Sequence, residues 1–542
     1  MSIAKTAADI IADRLFRAGC RHAFGIPGGE VLTVMNSLKN AGLLFYLVKH
    51  ENSGGFMAEG VHHANGAPGV LLATVGPGVV NAVNTVANAW QDQVPLIFLS
   101  GCVDAVDTQQ FTHQVFDHTK VLEPITKASF RVAEGAVGIA IDKAITIATT
   151  GRPGPVHLDI PISVANSKSE PFTSPNSAMP AQAAPAPSTK LNAARQALSS
   201  AKRPLIIAGV DTLHHNAAAV VCDTAHRFKI PVLTTYKAKG ILPEDDHLAL
   251  GGHGLSPKSF DIIKPLIDAS DVILLVGYDP IEMRNDWINP WPSDSVGKTV
   301  IDFSAEINTH YVHQSTYSFV GHVGAGLKRL TQGISASANI WPDGLPEKIK
   351  KTLAQAFPTD EAWGPAAVID SVRDTLPRNG VVCVDTGAHR ILISQQWKSY
   401  EPRQILQSTG LCTMGVALPL AMGYKLVKPE IPVVALTGDG GLEMILGELA
   451  TARDLELAIP IIVFVDQQLA LIEIKQRRDQ LQNLGVDFGG TDFVAVAQAM
   501  GGYGILAETR KMLTSALLKA ISADKFTVIA CPIGSQAYNG RF

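Results

Sequence analysis

The chain has 542 residues, 46% of them hydrophobic, and a formal net charge of −4. By ordinary domain size that length holds about three domains. The charge makes no electrostatic case for nucleic acid or an anionic membrane surface. No stretch reaches transmembrane length without charges or Gly/Pro breaks. Six scattered cysteines (Cys20, Cys102, Cys222, Cys383, Cys412, Cys531) form no CxxC, which argues against a disulfide framework or a zinc site.

The N-terminal segment MSIAKTAADIIADRLFRAGC has the period of an amphipathic helix and lacks the apolar core of a signal peptide. A soluble cytoplasmic protein is therefore expected. The apolar run LLFYLV then leads to Lys49-His50-Glu51, which opens a helix of small residues, NSGGFMAEG. A Glu there is favourable to the helix dipole, and alone it reads as a surface residue. The apolar runs GVLLATV, PLIFLSG and PVHLDIP alternate with helical patterns up to a Pro-, Ser- and Ala-rich stretch over residues 166–190, which reads as an extended linker. After it, RPLIIAG, IPVLTTY, DVILLVG and KTVIDFS repeat the alternation. A third block carries GVVCVDT, PVVALTG, PIIVFVD and FTVIACP. Fully apolar short strands alternating with helices predict an α/β fold of three consecutive doubly wound parallel-sheet units. A weaker boundary falls over residues 333–360.

The third block holds the most informative feature. Gly438-Asp439-Gly440-Gly441 follows one apolar strand, and Asp466 ends the next. The glycines allow backbone N–H groups to approach an anion at a helix start. Two carboxylates at neighbouring strand ends can hold a hard divalent cation beside it. A diphosphate with Mg²⁺ is the natural occupant.

This pattern resembles the diphosphate-anchoring motif of thiamine diphosphate enzymes, and the resemblance extends over nearly the whole chain. FGIPGGEV (residues 24–31), HENSGGFMAEG (50–60), TVGPGVVN (74–81), GRPGPVHLDIP (151–161), VDTGAHRI (384–391) and TMGVALP (413–419) occur in the order seen in the acetohydroxyacid synthase group. THQVFD (112–117) and GYDPIE (277–282) are most similar to the catabolic, FAD-independent acetolactate synthases. The resemblance implies an aminopyrimidine-binding domain over 1–165, the linker over 166–190, a central domain over 191–340 and a diphosphate-binding domain over 341–542. It implies thiamine diphosphate and Mg²⁺ as cofactors, with Asp439, Asp466 and the Gln468 carbonyl as metal ligands. Glu51 matches the glutamate that hydrogen-bonds N1′ of the aminopyrimidine and so generates a carbon nucleophile at C2 of the thiazolium. Gln114 matches a glutamine that reaches the reacting centre. Cofactor contacts are implied for Pro27, Gly28, Thr74, Asn81, Ala388, His389, Gly440, Gly441, Leu469, Leu471 and Ile472. The backbone at Cys412 and Met414 would meet the aminopyrimidine, with Met414 the apolar wedge beneath the cofactor. Taken singly, Met414 reads equally as core packing and His389 as a helix cap.

The implied function is a thiamine diphosphate-dependent carboligase or lyase. It would decarboxylate a 2-oxo acid, pyruvate above all, and join the activated aldehyde to an acceptor carbonyl. The alternatives are a 2-oxo acid decarboxylase, a C–C hydrolase or an acetyltransferase of the same superfamily, or a catalytically silent cofactor-binding relative. The resemblance also implies a homodimer as the minimum active unit, since in that family the cofactor lies between the first domain of one subunit and the third of another, and it implies a homotetramer. His113-Gln114 stands where decarboxylases carry paired histidines, and a Gln cannot shuttle a proton. His62-His63 lies elsewhere, and Glu473 is one position off the decarboxylases' active-site Glu. Catabolic acetolactate synthases usually carry Lys where this chain has Glu30, and Asn-Gly-Tyr where it has Gln467-Gln468-Leu469. Glu30 would disfavour an anionic acceptor. The Gly209-Val210-Asp211 loop lacks the glycines of the flavin branch, so FAD is not expected.

Overall fold

The computed structural model of the protein describes residues 5–169, 181–291 and 297–542. The N-terminal amphipathic pattern forms the helix Ala7–Arg17. It is closed by a capping box in which Thr6 Oγ1 accepts from Asp9 N–H and the Asp9 carboxylate accepts from Thr6 N–H. The predicted linker falls partly on residues 170–180, outside the described ones. At its margins Lys168–Ser169 pairs antiparallel with Lys5–Thr6, and a helix begins at Thr189.

Three six-stranded sheets follow one another along the chain, and every pairing within them is parallel. The fully apolar runs are the strands covered on both faces: Gly69–Ala73, Pro204–Ala208 and Val272–Val276 are buried throughout. In the first sheet the spatial order is Leu44–Leu47, His22–Ile26, Gly69–Ala73, Leu96–Cys102, Val156–Pro161, Ala128–Arg131. The third sheet repeats that order with Ile405–Gln407, Val381–Val384, Val433–Gly438, Pro460–Val465, Thr527–Pro532, Tyr503–Leu506. The central sheet differs. Counted along the chain its strands lie in the order 3-2-1-4-5-6, from Ala249–His253 to Tyr317–Val320. The helix Leu345–Ala356 packs on the central helix Pro257–Ala269.

In an open parallel sheet, ligands bind beyond the strand C-termini where the winding reverses. In the first sheet that point lies between His22–Ile26 and Gly69–Ala73, and in the third between Val381–Val384 and Val433–Gly438. Pro27, Gly28 and Thr74 fall at the first of these places, and Ala388, His389 and Asp439 at the second.

The first and third domains meet through the helices Glu51–Asn65 and Ala417–Val427. Their backbones touch at two glycines. A Cβ on Gly60 would lie 2.3 Å from Leu420 O, and one on Gly423 only 1.9 Å from Met57 O. Gly423→Ala is thus expected to push the helices apart and cost about 2–3 kcal/mol, read as a lower urea midpoint. Gly489→Ala, where an added Cβ meets nothing within 4 Å, should leave the midpoint unchanged. Equal midpoints for the two variants would disprove the close packing.

Candidate active site

Loops at the switch point of the third sheet enclose a cavity of about 130 Å³. Asp385, Thr386, Gly387, Ala388 and His389 follow the strand Val381–Val384 and enter the helix Ala388–Gln396. Gly438–Gly441 leaves the neighbouring strand, and Asp466 and Gln468 leave the one beyond. Ala388, His389, Met414, Gly440, Gly441, Leu469, Leu471 and Ile472 all line this cavity, together with Asp439, Asp466 and Gln468. Cys412 is not among the lining residues; it has a left-handed backbone (φ 56°) and its thiol lies between Arg390 and a Thr409 carbonyl. Glu473 does not line it; that carboxylate is paired with Arg477.

The two acids are set against each other. Asp439 Oδ2 accepts from Asp466 N–H and Gln467 N–H at 3.0 and 2.7 Å, and Oδ1 accepts from Gly440 N–H at 2.9 Å. Burial raises the Asp439 pKa, although those bonds oppose it. Asp466 is pushed up to about 7 by burial and then by the charge of Asp439. Among the described residues no group of three His, Cys, Asp or Glu side chains is placed to hold a metal. The chain thus offers two carboxylates and main-chain carbonyls, a set that ligand oxygens must complete.

The opposite wall suits an anion. Thr386 Oγ1, His389 Nε2 and Tyr538 Oη are buried without hydrogen-bond partners. Burial, then the charge of Arg390, drops the His389 pKa to about 3, so its ring is neutral, and it stacks on Phe464 at 5.4 Å. The Thr386 and Tyr538 hydroxyls, unfilled donors beside an uncompensated pair of carboxylates, fit a diphosphate bridged to a divalent cation. The chemistry of the residues therefore agrees with the groups they are expected to hold.

Sequence reading passed over Asp385. Fully buried, it accepts from Thr386 N–H, Gly415 N–H and Thr437 Oγ1, tying together the two strand ends and the loop that carries Met414. Burial raises its pKa to about 6 against those bonds. Thr386, Phe464 and Tyr538 were also missed. The signal for Asp385 was an acid directly after an apolar strand, the same pattern that exposes Asp466.

A second group forms at the switch point of the first sheet. Glu51, the first residue of its helix and 3% exposed, accepts from Asn81 Nδ2 at 3.0 Å. A Cβ on Gly78 would lie 3.2 Å from the Glu51 carboxylate. Thr74 Oγ1 donates to Glu30 at 2.7 Å, and a Cβ on Gly28 would collide with Thr74 and crowd the Glu30 carboxylate at 3.1 Å. The exposed Gln114, at φ 61°, lies against Gly76. None of the residues lining the third-domain cavity comes from the first domain. One chain therefore gathers the candidates in two groups, and Glu51 is not part of the lining that holds Asp439. His62 and His63 belong to neither group. They lie where the three domains meet, His62 buried and His63 partly so, beside His214, Lys237 and Arg403.

Three family descriptions match the chain in order: thiamine pyrophosphate enzyme N-terminal TPP binding domain over residues 5–121, central domain over 191–330, and C-terminal TPP binding domain over 385–531. Fold, site and these matches define a thiamine diphosphate-dependent enzyme. Similarity to named proteins narrows the class. The chain is 28% identical to an acetolactate synthase of Bacillus subtilis, over 97% of this chain and 93% of that one. It is 29% identical to the catabolic acetolactate synthase of Raoultella terrigena, over 97% and 94%. It is 30% identical to the acetolactate synthase isozyme 1 large subunit of Escherichia coli, over 87% and 83%. The chain belongs to the acetolactate synthase family.

Proposed function

We propose that this protein is a carboligase that decarboxylates pyruvate and joins the resulting two-carbon unit to an acceptor carbonyl. The observation that carries the reading is the pairing of a carboxylate-and-donor cavity at one switch point with a buried, oriented Glu51 at the other. Thiamine diphosphate, when bound, supplies a carbon nucleophile and an electron sink. Asp439, Asp466 and the Gln468 carbonyl would hold Mg²⁺ in this reading, while Thr386, His389 and Gly440-Gly441 at the start of the helix Asp439–Glu443 would hold the diphosphate. Met414, Leu471 and Ile472 form the apolar wall. Glu51, fixed by Asn81, holds a proton at the aminopyrimidine ring nitrogen. Gln114 offers a neutral amide to the acceptor, so it orients without protonating, which favours ligation over aldehyde release.

Since Glu51 is not part of the cavity lining in one chain, the reading places it at the cavity of a second subunit in at least a homodimer, and a homotetramer repeats the same contact. It has no flavin. The switch point of the central sheet is filled by Asp211 and Asp279, bridged by Arg152 at 3.3 and 3.2 Å, and two carboxylates there repel a nucleotide diphosphate. A cytoplasmic setting fits the substrates, and among the described residues no helix is long and apolar enough to cross a membrane.

The acetolactate synthase relatives point to a second pyruvate as acceptor. One observation favours a neutral aldehyde instead: the Glu30 carboxylate, held by Thr74, places negative charge beside Gly28. Isotope-labelled pyruvate, incubated with protein, thiamine diphosphate and Mg²⁺, tests both. Acetolactate alone is expected if the second pyruvate is accepted. Mixed ligation products appearing only with added aldehydes would establish the neutral acceptor. Pyruvate returned unchanged under both conditions refutes the reading.

A further inference from the structure

The turn that carries Thr74, Gly76 and Gly78 rests on a buried chain of polar groups that the proposed reaction does not use. Gly76 N–H donates to His118 Nε2 at 3.2 Å. His118 Nδ1 lies 2.9 Å from Asp159 Oδ1, and Ser100 Oγ lies 2.7 Å from the same oxygen. His157 Nε2 then meets Ser100 Oγ at 2.7 Å, and Ser129 Oγ meets His157 Nδ1 at 2.8 Å. His118, Asp159, Ser100 and His157 are at most 4% exposed.

The directions of these bonds follow from the two ends. A backbone N–H can only donate, so His118 Nε2 accepts and its proton sits on Nδ1, facing Asp159. Asp159 accepts from His118 and Ser100, Ser100 accepts from His157, and His157 accepts from Ser129. Every donor in the chain is used once. Burial alone would raise the Asp159 pKa, but the hydrogen bonds it accepts from His118 and Ser100 hold it below the usual range.

The end of this chain is what touches the site. Gly76 has φ 72° and ψ −106°, a conformation that L side chains rarely adopt. The main chain of Gln114, itself at φ 61°, packs directly on it: a Cβ on Gly76 would lie 2.8 Å from Gln114 O and 2.9 Å from Gln114 Cβ. The same turn starts the helix Pro77–Gln91, which carries Asn81 to Glu51. His118 thus braces, from behind, the strained turn on which Gln114 rests.

We propose that His118, held in one tautomer by Asp159, is a positioning residue. Through Gly76 it sets Gln114 and thereby controls the partition between ligation and release of free aldehyde. The proposal rests on the reading of Gln114 and of the carboligase given above. Two near-isosteric replacements separate the two ends of the imidazole. In His118→Gln the side-chain amide reaches where Nε2 stands, so an acceptor for Gly76 N–H remains. In His118→Asn the amide reaches only the Nδ1 position, so the bond to Asp159 remains and the one to Gly76 is lost.

The test uses the full chain with thiamine diphosphate, Mg²⁺ and pyruvate, measuring ligation product against acetaldehyde. The ratio in His118→Asn is expected to shift about tenfold toward acetaldehyde, the worth of one such hydrogen bond. In His118→Gln it should stay within about twofold of wild type, with cofactor affinity unchanged in both. A packing role would instead rank the variants by volume and stability and leave the ratio alone. Equal ratios in Asn and wild type, or a Gln variant as impaired as Asn, overturn the proposal. Crystal structures of the two variants read the positioning independently of the reaction. Gln114 should move by more than about 0.5 Å only in His118→Asn; no movement overturns the proposal. Should wild type convert no pyruvate, the functional reading fails, and the crystal structures still decide the role of His118.

Discussion

Glu51→Gln is expected to lower turnover by about 10²–10⁴-fold, the usual worth of a positioned proton-transfer group. The substitution preserves shape, and a Gln carbonyl can still accept from Asn81, so fold and cofactor retention should survive. What it removes is the ability to stabilise a proton on the aminopyrimidine ring, a step that precedes any substrate chemistry. H/D exchange at the thiazolium C2 in the assembled holoenzyme should slow by a comparable factor without any substrate. Unchanged exchange would sink the role given to Glu51. Glu59, eight residues further along the same helix, is the control. It is buried, accepts from Asn88 at 3.0 Å and has its pKa raised to about 8 by burial, with Lys237 opposing. Gln keeps its shape and can still accept from Asn88, so Glu59→Gln should leave C2 exchange within a few-fold of wild type.

The parts of this structure that were legible in the sequence are those whose cause is local. A strand buried on both faces must be apolar throughout, so PVVAL and PIIVFV announce themselves, whereas the expected Gly-rich turn after Asp439 is instead the start of the helix Asp439–Glu443. Strand order is decided by crossovers between distant segments, and no local pattern shows that the central sheet is wound differently from its neighbours. The two switch points could be named only after the sheets were assembled. Asp385 escaped notice because its partners, Gly415 and Thr437, lie 30 and 52 residues away. Tyr538 escaped because it reaches the cavity from the C-terminal end of the chain. Gly60 and Gly423 look like ordinary small helix residues until the two helices are placed against each other. Conversely, His62-His63 draws the eye as a titratable pair. The structure buries it between domains, where desolvation, then the charge of Arg403, takes the His62 pKa down to about 3.

Asp466→Asn should act with opposite sign on the holoenzyme and on the bare chain. With Mg²⁺ and thiamine diphosphate present, loss of a charged ligand is expected to weaken cofactor retention by about 100-fold or more, since even residues that only support metal ligands are worth 10- to 100-fold. Asp439→Asn should do the same, and a chelator should reproduce both in wild type. Without metal the same carboxylate is a burden. Its folded pKa of about 7 exceeds that of an unfolded aspartate, so the folded chain holds the proton more tightly. Stability from this group is then fully present below about pH 4 and is lost as pH rises through about 7. Asn carries no charge to bury, so metal-free Asp466→Asn should melt higher than metal-free wild type at pH 8 and equal to it near pH 4. Equilibrium dialysis of the cofactor and thermal melts across that pH range measure the two effects. A variant that loses stability in the metal-free state as well would show that Asp466 holds the turn from Gln467 to Leu469 rather than a cation. Retention of thiamine diphosphate by wild type in excess chelator would remove the metal from the site altogether.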